Sequence, residues 1–274
     1  EYRGFTVHGM GPPSSGGVTT ALILGMLANF DLRALEREEA VYRLLEASRL
    51  AFADRDALIA DPDFVPLPLR ELLSQEYADE RSALIGPEAI PHALPGERWQ
   101  RPEGGAPAEN DSTSNITVAD RFGNIVVYTF SLEALGGSGM VVPGRGFLLN
   151  NQLTDFDPLP GGPNSAAPSK RPRSSMSPTI VFDGARPVLA LGAAGGATII
   201  TTVSQILLGT LELGMPLAQA LTAPRLSQQN RPTTLFEPGA PEHLLRDLLA
   251  RGHDFAAPQE IGEATGIAFA SDGT

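Results

Sequence analysis

The sequence predicts an α+β fold of layered sheets with helical faces. Three observations lead there. The early part of the chain is patterned for helices. Hairpin-like alternation takes over after residue 112. A glycine pair then opens a long apolar helical run, "GGATIITTVSQILLGTLELG". With 274 residues, 42% of them hydrophobic, there is enough chain for one large core or two small ones.

The elements follow in order. "EYRGFTVHGM" reads as a strand already under way. "PPSSGG" precedes the apolar stretch Val18 to Phe30, and Ser and Gly before such a run are helix-start chemistry. From Arg37 to Ala60, Val41, Leu44, Leu45, Ser48, Phe52 and Leu58 recur near one face, which is amphipathic helix spacing; Asp61-Pro62 ends it. Leu69 to Leu84 predicts one further helix. Pro87 to Asn110 is rich in Pro, Gly and Glu and lacks periodicity, so it reads as a flexible, exposed segment.

Beyond that segment the period changes. Ile116 and Val118 alternate with polar partners in what reads as a buried strand, "DRFGN" makes a turn, and Ile125 to Phe130 returns. "GFLLNN" reads as a strand, and "PTIVFDGARPVLALG" as a hairpin turning at Asp183-Gly184. Pro216 to Thr222 and Pro241 to Ala250 predict shorter helices, the second closed by Gly252. "GIAFASDGT" ends on a turn signal without a return strand, and both ends read as cut inside a fold.

Composition excludes several functions. The formal net charge is -12 and there is no Lys/Arg-rich run, so a nucleic-acid partner or an anionic membrane surface finds no clustered cations to meet it. There is no cysteine, which removes disulfides, thiolate catalysis and Cys-based zinc sites. The four histidines form no HExxH or HxxxH pair, and His243 and His253 read as surface residues around a helix end. No Gly-x-Ser-x-Gly elbow is present, and no apolar run is long enough to span a bilayer.

"DSTSNITVAD" therefore stands out. A threonine hydroxyl is a poor nucleophile near neutral pH and needs a base. One solution is the residue's own α-amine, freed by cutting the chain before it, with a pKa of roughly 7.7–8.0. Thr113 follows the irregular segment and precedes a strand, which suits that role, although a solvated polar turn fits the same residues. Downstream, Gln152 and Asp155 lie beside two asparagines, and Ser174 and Ser175 occupy a Pro-bounded polar turn. Gly195 and Gly196 open a helix, where unhindered N–H groups can face an anion or a developing oxyanion. A cap, a turn and a close-packing glycine would explain each of these separately.

"YRGFTVHGMGPPSSGG", "TSNITVADRFGN", "LLNNQLTDFDPLPGGPN", "KRPRSSMSPTI" and "GAAGGATIITTV" together resemble the gamma-glutamyltransferases (gamma-glutamyltranspeptidases) over nearly the whole chain. The resemblance implies an N-terminal-nucleophile hydrolase with a four-layer αββα sandwich. It implies a precursor that cuts itself between Ser112 and Thr113 into a large and a small subunit. Residues 1–112 would be the C-terminal part of the large-subunit region, ending in the linker 87–112. Residues 113–274 would be the small-subunit region, truncated at its C-terminus, and both would pack as one domain. It implies removal of the γ-glutamyl group from glutathione-like compounds through an acyl-enzyme, with water or an amine acceptor such as an amino acid or peptide taking the acyl group. No cofactor or metal is implied, and the expected location is periplasmic or secreted.

By the same resemblance Thr113 is the nucleophile and new N-terminus, and Ser131 orients it. Glu133, Gln152 and Asp155 hold the substrate α-amino group, Ser174 and Ser175 bind the α-carboxylate, and Gly195 and Gly196 form the oxyanion hole. The chemistry agrees, because a zwitterionic α-carbon needs carboxylates for its ammonium and hydroxyl or N–H donors for its carboxylate. Departures from the family pattern are Asn115 for a frequent His, "GAAGG" for GSPGG, Ser131 for Thr, and a short stretch between Phe156 and Lys170 that leaves the pocket without a lid. The family's arginine for the substrate carboxylate is expected ahead of Glu1. A related acylase for another amide such as a glutaryl-type side chain, and a silent or uncut paralogue serving as a binding or structural module, are the competing readings.

Overall fold

The computed structural model describes residues 1–99 and 112–270. Strand β1 (Phe5–Gly9) leads into α1 (Gly16–Leu27) and α2 (Arg37–Leu58), followed by the short α3 (Leu69–Leu72) and α4 (Gln75–Ser82). The hairpin β2 (Ser112–Ala119) and β3 (Ile125–Glu133) comes next, and a single turn of 3-10 helix, Gln152–Asp155, follows it. Then come β4 (Thr179–Asp183), β5 (Arg186–Ala194), α5 (Thr198–Leu207) and α6 (Leu217–Thr222). The chain continues through β6 (Leu226–Ser227), β7 (Thr233–Phe236), α7 (Glu242–Ala250), β8 (Asp254–Phe255) and β9 (Glu263–Ala268).

The main sheet has the order β1-β4-β5-β9 and is antiparallel throughout. Strand β5 is buried on both faces because it is sandwiched. Leu189, Leu191 and Ala193 point into the core beneath α1, α2 and α5. Gly192 points the other way, toward the β2–β3 hairpin. A Cβ there would sit 2.2 Å from Asn115 Oδ1, so only glycine lets the two sheets approach so closely. One core cluster draws on α1 and α2 from one side of residue 112 and on β4, β5 and α5 from the other. The described residues thus build a helix layer, the four-stranded sheet and the hairpin layer.

Several sequence expectations need correction. Strand β2 is not buried as a whole. Side chains alternate along a strand, so with Thr113, Asn115 and Thr117 turned inward, Ile116 and Val118 are exposed at 48% and 51%. Val126, Tyr128 and Phe130 are exposed on the same hairpin, the two rings stacked at 5.4 Å. Residues 69–84 form two helices, with Ser74 capping the second by accepting the Tyr77 N–H. "GFLLNN" forms a lone bridge, Val141 to Leu148, because the glycines around it adopt positive φ and turn the chain.

The stretch 87–99 is anchored. Ala89 N–H donates to Arg251 O, Ile90 N–H to Glu46 Oε2, and Ala93 exchanges two hydrogen bonds with Asn230. The rest of the expected linker, 100–111, lies outside the described residues, as does the closing turn signal at 272–273. His253 is 1% exposed, packed against Tyr42 and hydrogen-bonded to Thr234, so it is a core residue. Among the described residues no helix is long and apolar enough to cross a membrane.

Candidate active site

The β2–β3 register explains the first contact. Thr113 pairs directly with Ser131, so a separation of eighteen residues in sequence becomes a cross-strand neighbour. Thr113 Oγ1 donates to Ser131 Oγ at 3.1 Å, and Ser131 Oγ also accepts the Glu133 N–H at 2.7 Å. The register shifts between Ser112 and Thr113, opposite Glu133, which sits at φ 77. A non-glycine residue in the left-handed region is strained, and such strain collects at working sites. Here it turns the Glu133 carboxylate inward, where it is 5% exposed and accepts from Asn151 Nδ2. Asn151 also accepts the Ala134 N–H at 2.8 Å, so one amide fixes both the backbone and the carboxylate at this corner.

The 3-10 turn supplies Gln152 and Asp155, whose side chains are joined by a hydrogen bond from Gln152 Nε2 to Asp155 Oδ2. Buried Asn164 ties the turn down by donating to Asp155 O at 2.7 Å and accepting the Arg173 N–H at 3.0 Å. The stretch between Phe156 and Lys170 is therefore a fastened loop, closed by Lys170 Nζ on Ser165 O at 2.9 Å.

Ser174 and Ser175 lie on an extended segment held against the start of α1. Ser15 donates to Ser174 O twice, from N and Oγ, each at 2.8 Å, and Ser14 Oγ donates to Met176 O at 2.8 Å. "PPSSGG" does open a helix, yet the Ser15 hydroxyl serves this neighbouring segment instead of capping α1. Gly16 is required because a Cβ would stand 2.0 Å from Met176 O.

Gly195 and Gly196 link β5 to α5 with φ of +130 and +58. A Cβ on Gly195 would meet Thr198 Oγ1 at 2.6 Å, so the turn is both sterically closed and conformationally glycine-specific.

One cavity gathers these groups. Thr113, Ser131, Glu133, Gln152, Asp155, Ser174, Ser175 and Gly196 line it, together with Met176 and Ile199. Gly195 stands one residue behind it, shaping the turn. Of Ser112 only the backbone pairing is described. The arrangement offers a hydroxyl nucleophile, an acidic side at Glu133 and Asp155, and a hydroxyl side at Ser174 and Ser175. A larger, mostly apolar cavity of about 230 Å³ lies among α2, α5, α6 and α7, lined by His243 and Glu38 but by no hydroxyl or thiol nucleophile. Among the described residues no cluster of three His, Asp or Glu could hold a metal.

Residue reading missed Arg55, Ser15 and Asn151. Arg55 is 3% exposed, and its Nη2 donates to Ser175 Oγ at 2.8 Å. Its signal was present, because Arg55 falls on the stripe defined by Ser48 and Phe52, and an arginine inside a buried stripe must have a polar partner.

The fold is that of an N-terminal-nucleophile hydrolase. The cephalosporin acylase from Bacillus halodurans superposes with a TM-score of 0.88 at 26% identity, over 99% of this chain and 48% of that one. A gamma-glutamyltranspeptidase from Pseudomonas nitroreducens, in complex with L-DON, matches with a TM-score of 0.54 at 32% identity, over 57% of this chain and 89% of that one. The family model for gamma-glutamyltranspeptidase matches residues 1–274, and the chain belongs to that family. It is 41% identical over 282 residues to the glutathione hydrolase proenzyme of Bacillus subtilis (strain 168), covering 97% of this chain and 48% of the relative. The chain spans about half the length of the curated relatives it matches.

Proposed function

We propose that the protein hydrolyses or transfers γ-glutamyl groups from glutathione-like amides through a threonyl acyl-enzyme. The observation that carries this is one cavity lined by Thr113, two carboxylates and two serines. The scissile bond is Ser112–Thr113, and its cleavage turns the Thr113 peptide nitrogen into an α-amine. That amine takes the Oγ1 proton as Oγ1 attacks the γ-carbonyl carbon. The oxyanion forms beside the Gly195–Gly196 turn, the proton passes to the leaving amine, and Thr113 keeps the acyl group as an ester. Water, or an amino acid or peptide amine, then attacks that ester and restores the hydroxyl. Before the reaction the Thr113 hydroxyl donates to Ser131 Oγ at 3.1 Å, which holds its rotamer; once the amine takes the Oγ1 proton the bond reverses, and Ser131 Oγ donates to Thr113 Oγ1.

Glu133 and Asp155, with Gln152, hold the substrate ammonium, and Ser174 and Ser175 hold the α-carboxylate. Cleavage makes residues 1–112 and 113–274 separate chains of one folded body. The share of this chain matched by the Pseudomonas nitroreducens enzyme, 57%, is close to the share that begins at Thr113 and supports that division. The tied, short loop after Phe156 leaves the cavity open to water, which favours hydrolysis over transfer. A periplasmic or secreted location is part of the same reading. An acylase for side chains without an ammonium is the second reading, supported by the likeness to the Bacillus halodurans acylase; the buried carboxylate of Glu133 speaks against it.

The test uses the full-length protein on a denaturing gel, with N-terminal sequencing of the smaller band and a γ-glutamyl-p-nitroanilide assay. A new N-terminus at Thr113 with release of chromophore is expected. An uncut, inactive protein would leave the silent paralogue as the reading.

A further inference from the structure

Arg55 lies at the end of α2, and its guanidinium makes directed contacts among the described residues. Nε donates to Ser15 Oγ, Nη2 to Ser175 Oγ and Nη1 to Asp56 Oδ1, each at 2.8 Å. Ser15 Oγ passes its own proton to Ser174 O at 2.8 Å. One cation therefore grips both serines of the cavity, Ser175 at its hydroxyl and Ser174 through Ser15. A second buried arginine steadies the first: Arg173 Nη1 donates to Arg55 O at 3.1 Å, and Arg173 Nη2 shares Asp56 Oδ1 at 3.1 Å.

A serine hydroxyl has one proton and two acceptor positions. The Arg55 N–H fills an acceptor position of Ser175, so the single Ser175 proton is directed away from Arg55. Ser175 lines the cavity and Arg55 does not, so that direction leads into the cavity. An acceptor bond from a cation also polarises the hydroxyl and makes it a stronger donor. We infer that Arg55 is a positioning residue that sets recognition of the substrate's α-carboxylate, acting through Ser175 and, by way of Ser15, through Ser174. This rests on the proposed γ-glutamyl reading. It assigns the role to an arginine of this chain, separate from the one expected ahead of Glu1. The planar fork matters, because a lysine has no second N–H in the geometry needed to reach Ser15 and Ser175 together. It also ties recognition to maturation: Arg55 and Ser15 precede Thr113, whereas Ser174 and Ser175 follow it.

The experiment compares two amides in the full-length, matured protein. γ-Glutamyl-p-nitroanilide carries the α-carboxylate; 4-aminobutyryl-p-nitroanilide keeps the ammonium and lacks it. Arg55→Gln should lower kcat/KM for the first by about tenfold to a hundredfold, mainly through KM, because a charge-assisted donor is lost. The second substrate should change by less than about threefold, so the preference between them collapses. Ser15→Ala should move the preference the same way by a smaller factor, and Arg55→Lys should recover only part of it. Should Arg55→Gln fail to mature, Ser15→Ala and Arg55→Lys decide the matter. Equal losses on both substrates, or an undiminished preference, overturn the inference while leaving the γ-glutamyl reading intact. A wild-type protein that turns over neither amide overturns that reading and this inference together.

Discussion

In the proposed reaction Thr113 is cleavage site, nucleophile and carrier of its own base. Its β-methyl restricts χ1, and Ser131 Oγ holds the hydroxyl at 3.1 Å. Thr113→Ala should abolish both self-cleavage and amide hydrolysis, and Thr113→Ser should keep some of each, slowed because the freer side chain is less well aimed. A gel and the chromogenic assay on the three proteins check this; an alanine variant that still cleaves would make Thr113 a turn residue. Asp155→Asn should raise the KM for γ-glutamyl-p-nitroanilide far more than it slows cleavage. Removing one partner leaves the substrate ammonium less compensated, a loss on the order of a few kcal/mol. An unchanged KM would remove Asp155 from the ammonium side. At this scale much was legible, because Thr113, Asp155 and the serine pair are residue types whose chemistry shows in the sequence, whereas Glu133 and Ser131 came only from the family resemblance. Arg55 showed only as an arginine on a buried stripe that needs a polar partner; which partner it has, and the role of Asn151, exist only as contacts to groups 120 and 18 residues away.

At the scale of elements, the periods gave the helices and hairpins but not which face each would bury. The β2–β3 hairpin turns its threonines and Asn115 toward β5, with Ile125 and Val127 half-buried beside them, and leaves Ile116, Val118, Val126, Tyr128 and Phe130 outward, against the usual rule. The cause lies outside the hairpin. Gly192 on β5 admits the Asn115 amide, which accepts from Thr129 Oγ1 and donates to Thr265 Oγ1, each at 2.8 Å. Strand β9 sets the second constraint. Its pairing with β5 brings Gly262 against the end of that strand, where a Cβ would stand 1.9 Å from Ala194 O, with the backbone at φ +64. Gly262→Ala must therefore displace Ala194 and the Gly195–Gly196 turn next to it. We expect a lower melting temperature together with a fall in kcat, while Gly252→Ala, strained by φ +99 but with no close contact, should cost stability and spare kcat. Parallel losses of kcat in both variants would dissociate the Gly195–Gly196 turn from Gly262.

At the scale of the whole molecule, a buried polar cluster joins the part of the chain before Thr113 to the part after it. His253 Nδ1 is 3.0 Å from Thr234 Oγ1, and its Nε2 is 3.5 Å from Glu46 Oε1. Arg49, which pairs with Glu46 at 3.2 Å, also donates to Arg231 O at 3.2 Å. Burial, helped by the nearby Arg49 and Arg251 charges, pushes His253 down to about 4, so the fold keeps it neutral. The unfolded chain takes up a proton as pH falls through about 6.5, and the folded chain does so only near 4. Stability present at neutral pH is therefore lost between those values, by about 2 kcal/mol at pH 5. Glu46 works in the opposite sense, because burial raises its carboxyl and the fold gains a proton there early, offsetting part of the loss. His253→Asn removes the titration while leaving a polar group for Thr234. The variant should start less stable, and its melting temperature should fall less between pH 7 and pH 5 than that of the wild type. Because the cluster spans the proposed cleavage site, the matured protein should show the same pH slope as an uncleaved Thr113→Ala variant if the two chains remain one cooperative body. Equal slopes for wild type and His253→Asn would show that the cluster holds the two regions together without sensing acid.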